Sequence, residues 1–342
     1  MHKYTIKVPS STSNIGPGFD VLGLGLKLFL TIHVTVHDDE RPTTIDYTDK
    51  TPKGSVSLDL EENLITKTAL YLARSYGTTL PNGLEIMVDN DIPLGRGLGS
   101  SGTAIVGGVM LANVACGLNL PKERLLDYCI MVEGHPDNVA ASLLGGFVGS
   151  YLNEKASSLP PMKWGAENTI KQEDIPYKTS ACIKMKWSKA IKVVVVIPKY
   201  ELATSLARSV LPQQYDRKDI VFNLQRVTVL THVLGDDVPN PEVIYEAMQD
   251  RIHQHYRQKL IPGLPEILAL KPGFMKGFIG ACMSGAGPTV LILATENFEA
   301  IGKKIQEIFM NYKDESGKPI DSYVKVLEVF NDGAVVINED EN

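Results

Sequence analysis

Residues 93–103, PLGRGLGSSGT, have the residue types of a segment that wraps an anion. Alternate glycines let the backbone approach a ligand without Cβ clashes, and successive N–H groups in such a chain can form an anion-binding concavity. Ser100 and Ser101 add hydroxyls that can reach a phosphate oxygen or a metal ion, and Arg96 adds one fixed charge. This chemistry predicts a polyphosphate ligand, hence a nucleoside triphosphate.

The same stretch contains G-x-G-x-x-G, at Gly97, Gly99 and Gly102, which first suggests a dinucleotide. A dinucleotide-binding fold needs a second strand after the helix and an acidic residue about 20 residues further on. Here a helical segment, NLPKERLLDYCIMVE, follows instead and itself carries Glu123. An NAD-linked oxidoreductase is therefore disfavoured, and a Walker A loop fails because the stretch lacks G-K-[ST].

We therefore interpret this region as a strand, a glycine loop and the N-terminus of a helix. The first N–H groups of a helix lack partners, and the helix dipole favours an anion beside them. A plain tight turn with a capping serine accounts for one glycine and one serine, and leaves the other small residues of the loop unexplained.

Asn14 and Asp20 flank the turn N-I-G-P-G-F-D, whose central glycines and proline bring its two ends together. A carboxylate and a carboxamide side by side can bind the amine and the hydroxyl of a small ligand. The alternative is structural, with an Asx-type turn residue and a helix N-cap. The residues alone leave both open and favour the structural interpretation for Asn14.

Glu133 ends a predicted helix and is followed by H-P-D-N. A carboxylate suits Mg²⁺, since this ion takes hard oxygen donors and keeps several waters. The alternative, a solvated carboxylate at a helix C-terminus, is disfavoured by the helix dipole. His135 could be a proton shuttle or a metal ligand, and a turn histidine that only forms hydrogen bonds fits the sequence equally well.

Arg208 lies four residues after Thr204, so the two share a helical face if ATSLARSVLP is helical. A guanidinium can bind a carboxylate through two parallel hydrogen bonds. Most arginines are solvated surface residues, and residue type alone does not distinguish Arg208 or Arg251 from these. The segment SGAG, residues 284–287, exposes N–H groups that suit a ligand or a plain hairpin turn, and Asn63 is typical of a helix cap.

The bulk composition excludes some classes of partner. A formal charge of −6 argues against a nucleic-acid or membrane-surface binder, because both usually need a basic face. Apolar residues make up 44% of the chain, enough for a core, yet no apolar run reaches membrane-spanning length. The four cysteines form no C-x-x-C pair, which predicts free thiols in a reducing compartment and a cytoplasmic enzyme.

Strand-like and helix-like segments mix along the chain without strict β-α-β order, which predicts an α+β fold. Helical periodicity begins at Ser101, and Gly107 and Gly108 inside that helix predict close approach of a neighbouring element. The polar composition of residues 153–190 predicts an inter-domain connection or a surface excursion. The remaining predictions are strands at 4–8, LKLFLTIHVTV, GLEIMVDNDIP, IKVVVVIP and on either side of SGAG, a loop at 10–20, and helices in PKERLLDYCIMVEG, FNLQRVTVLTHVL, PEVIYEAMQD and IGKKIQEIFM.

Three ordered motifs resemble the GHMP kinases, named for galacto-, homoserine, mevalonate and phosphomevalonate kinases. P-L-G-R-G-L-G-S-S is similar to the glycine loop of that family, and SSTSNIGPGFDVLGLGL and CMSGAGPT agree with it in order and spacing. Within the family, N-I-G-P-G-F-D and EGHPDNVAASLLGGF resemble the pattern of homoserine kinases. The resemblance runs from residue 4 to about residue 330. It departs from the pattern at Ala141, where a proline is usual, and at 153–190, which aligns with no motif.

The resemblance implies a two-domain GHMP kinase fold, with a ribosomal-S5-like domain over residues 1–180 and a ferredoxin-like domain over residues 181–342. It implies ATP-dependent phosphorylation of L-homoserine to O-phospho-L-homoserine, a step of threonine biosynthesis. ATP and Mg²⁺ are the expected cofactors and a homodimer is the expected assembly. No nucleic-acid or membrane partner is expected.

The resemblance also implies roles for individual residues. Mg²⁺ is assigned to Ser101 and Glu133. Catalysis is assigned to Asp137, Asn138 and Arg208, although an asparagine cannot accept the hydroxyl proton and phosphoryl transfer depends mainly on positioning and charge neutralisation. The substrate-binding residues are Asn14, Asp20, His135, Asn138, Thr204, Arg208, Arg251 and Gly285. The nucleotide-binding residues are Asn63, near the adenine, and Pro93, Leu94, Gly95, Arg96, Gly97, Leu98, Gly99, Ser100, Ser101, Gly102 and Thr103.

Two other functions compete with this one. A GHMP kinase for another alcohol, such as mevalonate, has no need for a group that binds an ammonium, which Asp20 supplies here. A non-catalytic nucleotide sensor would lack the metal ligands, and both Ser101 and Glu133 are present. Arg226 and Arg257 match no motif and receive no role.

Overall fold

Two β-sheets of different size organise the chain in a computed structural model, which describes residues 2–157, 171–314 and 316–339. The strands are β1 His2–Ser13, β2 Leu22–Val36, β3 Thr44–Tyr47, β4 Leu84–Asn90, β5 Phe147–Leu152, β6 Ser180–Met185, β7 Lys192–Pro198, β8 Phe278–Met283, β9 Val290–Ala294, β10 Ser322–Leu327 and β11 Val335–Asn338. The helices are α1 Leu64–Ser75, α2 Ser100–Ala115, α3 Lys122–Glu133, α4 Pro136–Leu144, α5 Glu154–Ser157, α6 Thr204–Ser209, α7 Arg217–Val233, α8 Pro241–Ala247, α9 Gln254–Arg257, α10 Leu264–Leu268 and α11 Phe298–Met310. This mixture confirms the α+β prediction.

The larger sheet has the strand order β11–β1–β2–β4–β3, with β5 paired to β2 and β6 to β5. Strands β1 and β2 are antiparallel along nearly their whole length, and α2 and α4 pack against β1. Apolar residues such as Ile6 and Val8 are fully buried beneath these helices. The sheet therefore brings three segments of the chain together: the turn between β1 and β2, the loop after β4, and the start of α4.

The smaller sheet has the antiparallel order β10–β7–β9–β8. Strand β7 contains four consecutive valines, all fully buried. Alternate side chains of a strand point to opposite faces, so Val193 and Val195 join the large core while Val194 and Val196 join a second core that includes residues of α11. Both faces of this sheet are thus covered, and the large core continues across the two sheets.

Helix α2 confirms the close approach predicted from its two glycines. A Cβ at Gly108 would lie 2.4 Å from the carbonyl oxygen of Ile65, in helix α1. A Cβ at Gly107 would lie 2.7 Å from Cδ1 of Ile32, in β2. The missing side chains let α2 pack tightly between its neighbours, which fixes the direction of the helix whose N-terminus faces the glycine loop.

The predicted loop at 10–20 is wrong over its first residues. Strand β1 continues to Ser13, because a register shift between Pro9 and Ser10 allows Ser10–Ser13 to pair with Gly23–Leu26 of β2. Serine and threonine are typical of turns, but here the pairing with β2 determines the backbone. The turn itself is shorter than predicted and begins at Asn14.

The predicted domain division at residues 180 and 181 stays a prediction. Strand β6 spans that position and pairs with β5 in the larger sheet, and the change of sheet comes between Met185 and Lys192. The C-terminal β11 also pairs with β1. Residues 158–170, within the predicted connection at 153–190, lie outside the described residues. Among the residues described, no helix combines the length and the apolar character needed to cross a bilayer.

Candidate active site

A cavity of about 230 Å³ lies where the loops of the two sheets meet. Most of the residues predicted for the site line it: Asn14, Gly95, Arg96, Gly97, Gly99, Ser100, Ser101, Gly102, Glu133, His135, Asn138, Thr204, Arg208 and Gly285. Four residues without a predicted role also line it: Ser13, Leu202, Arg257 and Ala286. The predicted residues outside this lining are Asp20, Asn63, Pro93, Leu94, Leu98, Thr103, Asp137 and Arg251.

The glycine loop has a conformation that few other residues allow. Gly95, Gly97 and Gly99 have φ values of 63°, 77° and 70°, in the left-handed region. A Cβ at Gly97 would lie 2.3 Å from the carbonyl oxygen of Ser284, and a Cβ at Gly99 would lie 2.1 Å from Oγ of Ser11. The loop is therefore held between the end of β1 and the turn after β8, with no room for side chains.

Helix α2 begins directly at the cavity. Gly99 is its N-cap and provides no side-chain hydrogen bond, and the first intrahelical bond runs from Thr103 N–H to Gly99 O at 2.8 Å. The N–H groups of Ser100, Ser101 and Gly102 precede that bond and belong to residues that line the cavity. Together with the dipole of a 16-residue helix, they provide the N–H groups without helical partners that the predicted phosphate site needs.

The side chains of Arg96, Leu98 and Thr103 hold the glycine loop in place. The Leu98 side chain is fully buried, and the Thr103 hydroxyl donates to the carbonyl oxygens of Gly99 and Ser100. The Arg96 guanidinium donates to Lys199 O at 3.0 Å and Tyr200 O at 3.4 Å, which ties the loop to the residues after β7. These side chains fix the loop, whereas its backbone faces the cavity.

Ser101 and Glu133 meet at the edge of the cavity, as their shared assignment requires. Ser101 Oγ donates to Glu133 Oε2 at 3.4 Å, and the Glu133 side chain is 13% exposed. Burial raises the pKa of Glu133 above its ordinary value, although the charge of His135 opposes the shift. A hydroxyl and a carboxylate that lacks solvation are suitable ligands for a hard divalent cation.

His135 and Asp137 form a close pair, with Nδ1 and Oδ1 2.5 Å apart. Burial disfavours the charged imidazole, yet the hydrogen bond and charge of Asp137 outweigh it and raise the pKa of His135 to about 9. Burial would raise the pKa of Asp137, but the contact with His135 holds it below its ordinary value. Asp137 is fully buried behind His135, so it orients the histidine and does not line the cavity.

Asn138 is oriented by the last residues of β1. Its Oδ1 accepts from Ser11 Oγ at 2.9 Å, and its Nδ2 donates to Ser13 Oγ at 3.0 Å. Asn138 lines the cavity, and both ends of its amide are held by hydroxyl groups of β1.

The turn from Asn14 to Asp20 brings its two ends together, as predicted. Both residues have positive φ, 61° and 55°, and Asp20 N–H donates to Asn14 Oδ1 at 2.9 Å. Asn14 Nδ2 donates to Gly285 O at 2.9 Å, which joins this turn to the turn after β8. The carboxylate of Asp20 also comes near His135, since ligand atoms of Asp20, His135 and Asp137 lie within 4.8 Å of one another.

Arg208 and Thr204 lie on α6, four residues apart, as the helical interpretation requires. The Arg208 guanidinium donates to both carboxylate oxygens of Asp20, at 2.8 Å and 3.1 Å. This bidentate pair joins the turn after β1 to a helix of the C-terminal half. Thr204 and Arg208 both line the cavity.

Arg257, at the end of α9, is the residue that the sequence reasoning missed. It is 1% exposed and lines the cavity, and its Nε donates to Ala207 O at 2.9 Å. Burial, and next the charge of Arg208, lower the pKa of Arg257 to about 10. Asp20 pairs directly with Arg208, while the charges of Asp20, Asp250 and Asp137 act on Arg257 without a direct pair, so the two neighbouring guanidinium groups can both attract an anion at this end of the cavity.

Arg251 is not brought to the cavity, which corrects the prediction that it binds the substrate. Its guanidinium pairs with Asp219 at 3.1 Å and lies over the ring of Phe222, with 49% of the side chain exposed. The family resemblance selected Arg251, whereas the structure brings Arg257 to the cavity. The preceding Asp250 accepts from Ile252, His253 and Gln254 N–H groups and so starts the turn that leads into α9 and Arg257.

Asn63 caps helix α1, and its amide is used within the protein. Oδ1 accepts from Ile65 N–H at 3.0 Å, while Nδ2 donates to the Tyr47 hydroxyl at 2.9 Å and to Ser57 O at 2.8 Å. Tyr47 lines a second cavity of about 330 Å³, bounded by residues between Asp46 and Leu58. Asn63 is 1% exposed and reaches this cavity only through Tyr47.

Known proteins share both the sequence and the fold of this chain. A sequence profile of the family described as "GHMP kinases N terminal domain" matches residues 63–146. Homoserine kinase of Candida albicans is 47% identical over 97% of this chain and 98% of its own length, and homoserine kinase of Schizosaccharomyces pombe is 48% identical over 90% and 93%. The crystal structure of homoserine kinase from Cytophaga hutchinsonii is 27% identical and covers 98% of this chain and 97% of its own, with a TM-score of 0.75.

Proposed function

Because this chain belongs to the homoserine kinases of the GHMP kinase family, we propose that it transfers the γ-phosphoryl group of ATP to the hydroxyl of L-homoserine. The product is O-phospho-L-homoserine, and the step belongs to threonine biosynthesis. One observation carries the proposal for the site: the same cavity offers the N-terminus of α2 to a polyphosphate and the guanidinium groups of Arg208 and Arg257 to a small zwitterion, with Asp20 paired to Arg208 outside the lining.

The triphosphate is proposed to lie against the N–H groups of Ser100, Ser101 and Gly102. The base is proposed to occupy the second cavity, which lies beside β3. Strand β3 is parallel to β4, and β4 leads directly into the glycine loop, so a nucleotide can extend from one cavity to the other. In this arrangement Asn63 acts on the base through Tyr47 rather than by direct contact.

Ser101 and Glu133 are the proposed ligands of Mg²⁺. Their oxygens are 3.4 Å apart at the cavity edge, and the raised pKa of Glu133 indicates a carboxylate that a nearby cation would favour in its charged form. Bound there, Mg²⁺ would neutralise charge on the phosphate oxygens. Arg96, at the same loop, adds a fixed positive charge at the cavity.

The amino acid is proposed to bind at the other end of the cavity. The ammonium group pairs with the Asp20 carboxylate and the Asn14 amide, and the carboxylate pairs with Arg208 and Arg257. These assignments match charge with charge: one acid and two bases face a ligand that carries one charge of each sign. Thr204, His135 and Gly285 complete the lining around the substrate.

Phosphoryl transfer in this arrangement depends on positioning and charge rather than on a strong base. Asn138 cannot accept the hydroxyl proton, and both ends of its amide already have partners on β1. Asp137 is buried and holds His135, so we propose that it acts by orienting the imidazole. Arg208 and the N–H groups of the loop supply the positive potential that the transferring group needs.

The proposal is tested by parallel coupled assays of ADP release, with L-homoserine and with mevalonate, and by the mass of the product. We expect turnover with homoserine, a product heavier by the mass of one phosphoryl group, and no turnover with mevalonate. Nucleotide and homoserine binding without ADP release would favour the sensor alternative and overturn the proposal. Turnover of mevalonate alone would overturn the substrate assignment.

The assembly and the compartment are also proposals. We propose a homodimer, which light scattering of the purified protein tests directly. We propose a cytoplasmic enzyme, since the four cysteines are free thiols and a reducing compartment keeps them so.

A further inference from the structure

Three side chains of the C-terminal half converge on the ring of Phe19, a residue to which the reaction assigns no role. The imidazole of His253 stacks on this ring, with the centroids 5.3 Å apart and an interplanar angle of 20°. The guanidinium carbons of Arg257 and Arg208 lie 4.9 Å and 5.5 Å from the ring centroid. Phe19 directly precedes Asp20, so one ring contacts both substrate-facing arginines and adjoins their carboxylate partner.

His253 fixes the turn that carries this ring. Its side chain is fully buried, and Nε2 lies 2.7 Å from Gly16 O, which makes Nε2–H the donor. Burial lowers the pKa of His253, so the ring is neutral and carries one proton. Nδ1 has no hydrogen-bond partner within the described part of the chain. The imidazole therefore acts through its Nε2–H bond to Gly16 O and its stacked ring, with Asp250 Oδ2 lying 3.8 Å from Nε2.

A rigid support holds His253 in turn. Asp250 Oδ2 accepts from the backbone N–H groups of His253 and Gln254, at 3.0 Å and 2.7 Å. Asp250 Oδ1 accepts from Asn223 Nδ2 at 2.7 Å, and Asn223 belongs to α7. The imidazole therefore reaches the turn after β1 from a fixed point in the C-terminal half.

The supported turn has a strained backbone, which several contacts hold, among them the bond from Asp20 N–H to Asn14 Oδ1 and the bond from His253 to Gly16 O. Asn14, Gly16 and Asp20 all have positive φ, and two of them are not glycine. Such a turn persists only when its surroundings over-determine it. A relaxed turn would displace Phe19 and Asp20, and then the two guanidinium groups would lose the ring and the carboxylate that align them.

We propose that His253 is a positioning residue for recognition of the amino acid, and that it acts through Phe19 on Arg208, Arg257 and Asp20. This inference rests on the proposed function, because it assumes that these groups bind the substrate carboxylate and ammonium. It does not involve the nucleotide end of the cavity. A merely structural histidine would instead affect both substrates and the stability of the fold alike.

The test compares two substitutions that each keep one of the two contacts made by the His253 side chain. His253→Gln retains an N–H donor for Gly16 and loses the ring, and His253→Phe retains a ring over Phe19 and loses the donor. His255→Gln, at an exposed histidine two residues further on, is the matched control. We expect the KM for homoserine to rise on the order of tenfold in both His253 variants, while kcat and the KM for ATP stay within about twofold of the parent.

A double-mutant cycle with Arg257→Ala decides whether the effect passes through the arginines. We expect His253→Phe to raise the KM for homoserine by a smaller factor in that background than in the parent, because one of the groups that it aligns is already gone. Equal fold-increases in the two backgrounds, or equal increases in the KM for ATP and for homoserine, would overturn the inference. A lower melting temperature with an unchanged KM for homoserine in His253→Gln would overturn it as well. If the parent protein releases no ADP with homoserine, the proposed function itself fails, and that result is distinct from these.

Discussion

The glycine loop at residues 95–102 presents backbone N–H groups from one continuous segment, whereas the amino-acid end of the cavity presents side chains from distant segments. Asp20, Arg208 and Arg257 come from the turn after β1, from α6 and from the end of α9. The two ends also differ in what fixes them. Steric limits fix the loop, because left-handed glycines touch neighbouring backbone, while charge pairs and a strained turn fix the other end.

This difference determines how each end responds to change. The loop has no free space at Gly97 and Gly99, so a methyl group added there displaces backbone or a neighbouring side chain. A cluster of charged side chains can lose one member and keep its geometry in part, but the remaining buried charge becomes costly. We therefore expect the largest losses from small changes in the loop, and substrate-selective losses from changes at the other end.

Gly97→Ala is the strongest test of the difference between the glycine loop and the amino-acid end of the cavity. The new Cβ would lie 2.3 Å from Ser284 O, at a φ of 77° that alanine rarely adopts. We expect kcat/KM for ATP to fall on the order of a thousandfold, because the N–H groups that follow no longer meet the phosphates. Steady-state kinetics and a nucleotide-binding titration measure the effect.

Gly117→Ala is the control for the backbone cost alone. Gly117 has a φ of 59°, and a Cβ there would have no atom of the described residues within 4 Å apart from its chain neighbours, so this change adds strain without a clash. We expect a stability loss of about 1 kcal/mol and unchanged kinetics. If both variants lose activity alike, the loop is not specially constrained.

The amino-acid end is tested by comparing Arg257→Ala with Arg251→Ala. Arg257 is buried at the cavity and Arg251 pairs with Asp219 on the outside. We expect the KM for homoserine to rise about a hundredfold in Arg257→Ala and less than about twofold in Arg251→Ala. The KM for ATP should be unchanged in both. The reverse order of effects would restore Arg251, the arginine that the family resemblance assigned to the substrate.

Glu133→Gln tests the metal assignment between the two ends. The amide keeps the size of the side chain and an oxygen near Ser101 but loses the negative charge. We expect the Mg²⁺ concentration for half-maximal rate to rise about tenfold, with a smaller change when Mg²⁺ is saturating. An unchanged Mg²⁺ dependence would remove Glu133 from the metal site.

The smallest effect concerns the His135–Asp137 pair and its dependence on pH. The ordinary pKa of the histidine is 6.5 and its folded value is about 9, so its charge stabilises the fold fully below about pH 6.5 and the effect is lost as pH rises through 9. Asp137 has a lowered pKa and stays ionised throughout that range. We expect the difference in free energy of unfolding between the parent and His135→Gln to shrink by roughly 1 kcal/mol or more from about pH 6 to about pH 10. Urea unfolding of the metal-free protein measures it, and a difference that grows with pH would contradict the assignment.

The sequence by itself predicted the glycine loop and the helix that follows it, the end of the cavity proposed for the nucleotide. The glycines, the serines and the start of a periodic apolar segment follow one another within residues 93–112, so their spacing alone predicts a loop and a helix N-terminus. Long periodic elements such as α3, α11 and β7 were predicted for the same reason, because the pattern and the structure that it produces are local. The pairing of Ser101 with Glu133 came from family resemblance and was then found in the geometry.

Only the tertiary structure brought Arg257 to the amino-acid end, where the family resemblance had already placed Thr204 and Arg208. Arg257 resembles any solvated arginine in the sequence, and it becomes a site residue because Asp250 and α9 turn it inward toward Phe19. Ser10–Ser13 resemble a loop and become a strand because β2 pairs with them. These outcomes depend on contacts between segments far apart in the chain, and such contacts leave no periodic signal, since each partner is constrained by the fold and not by its neighbours in sequence.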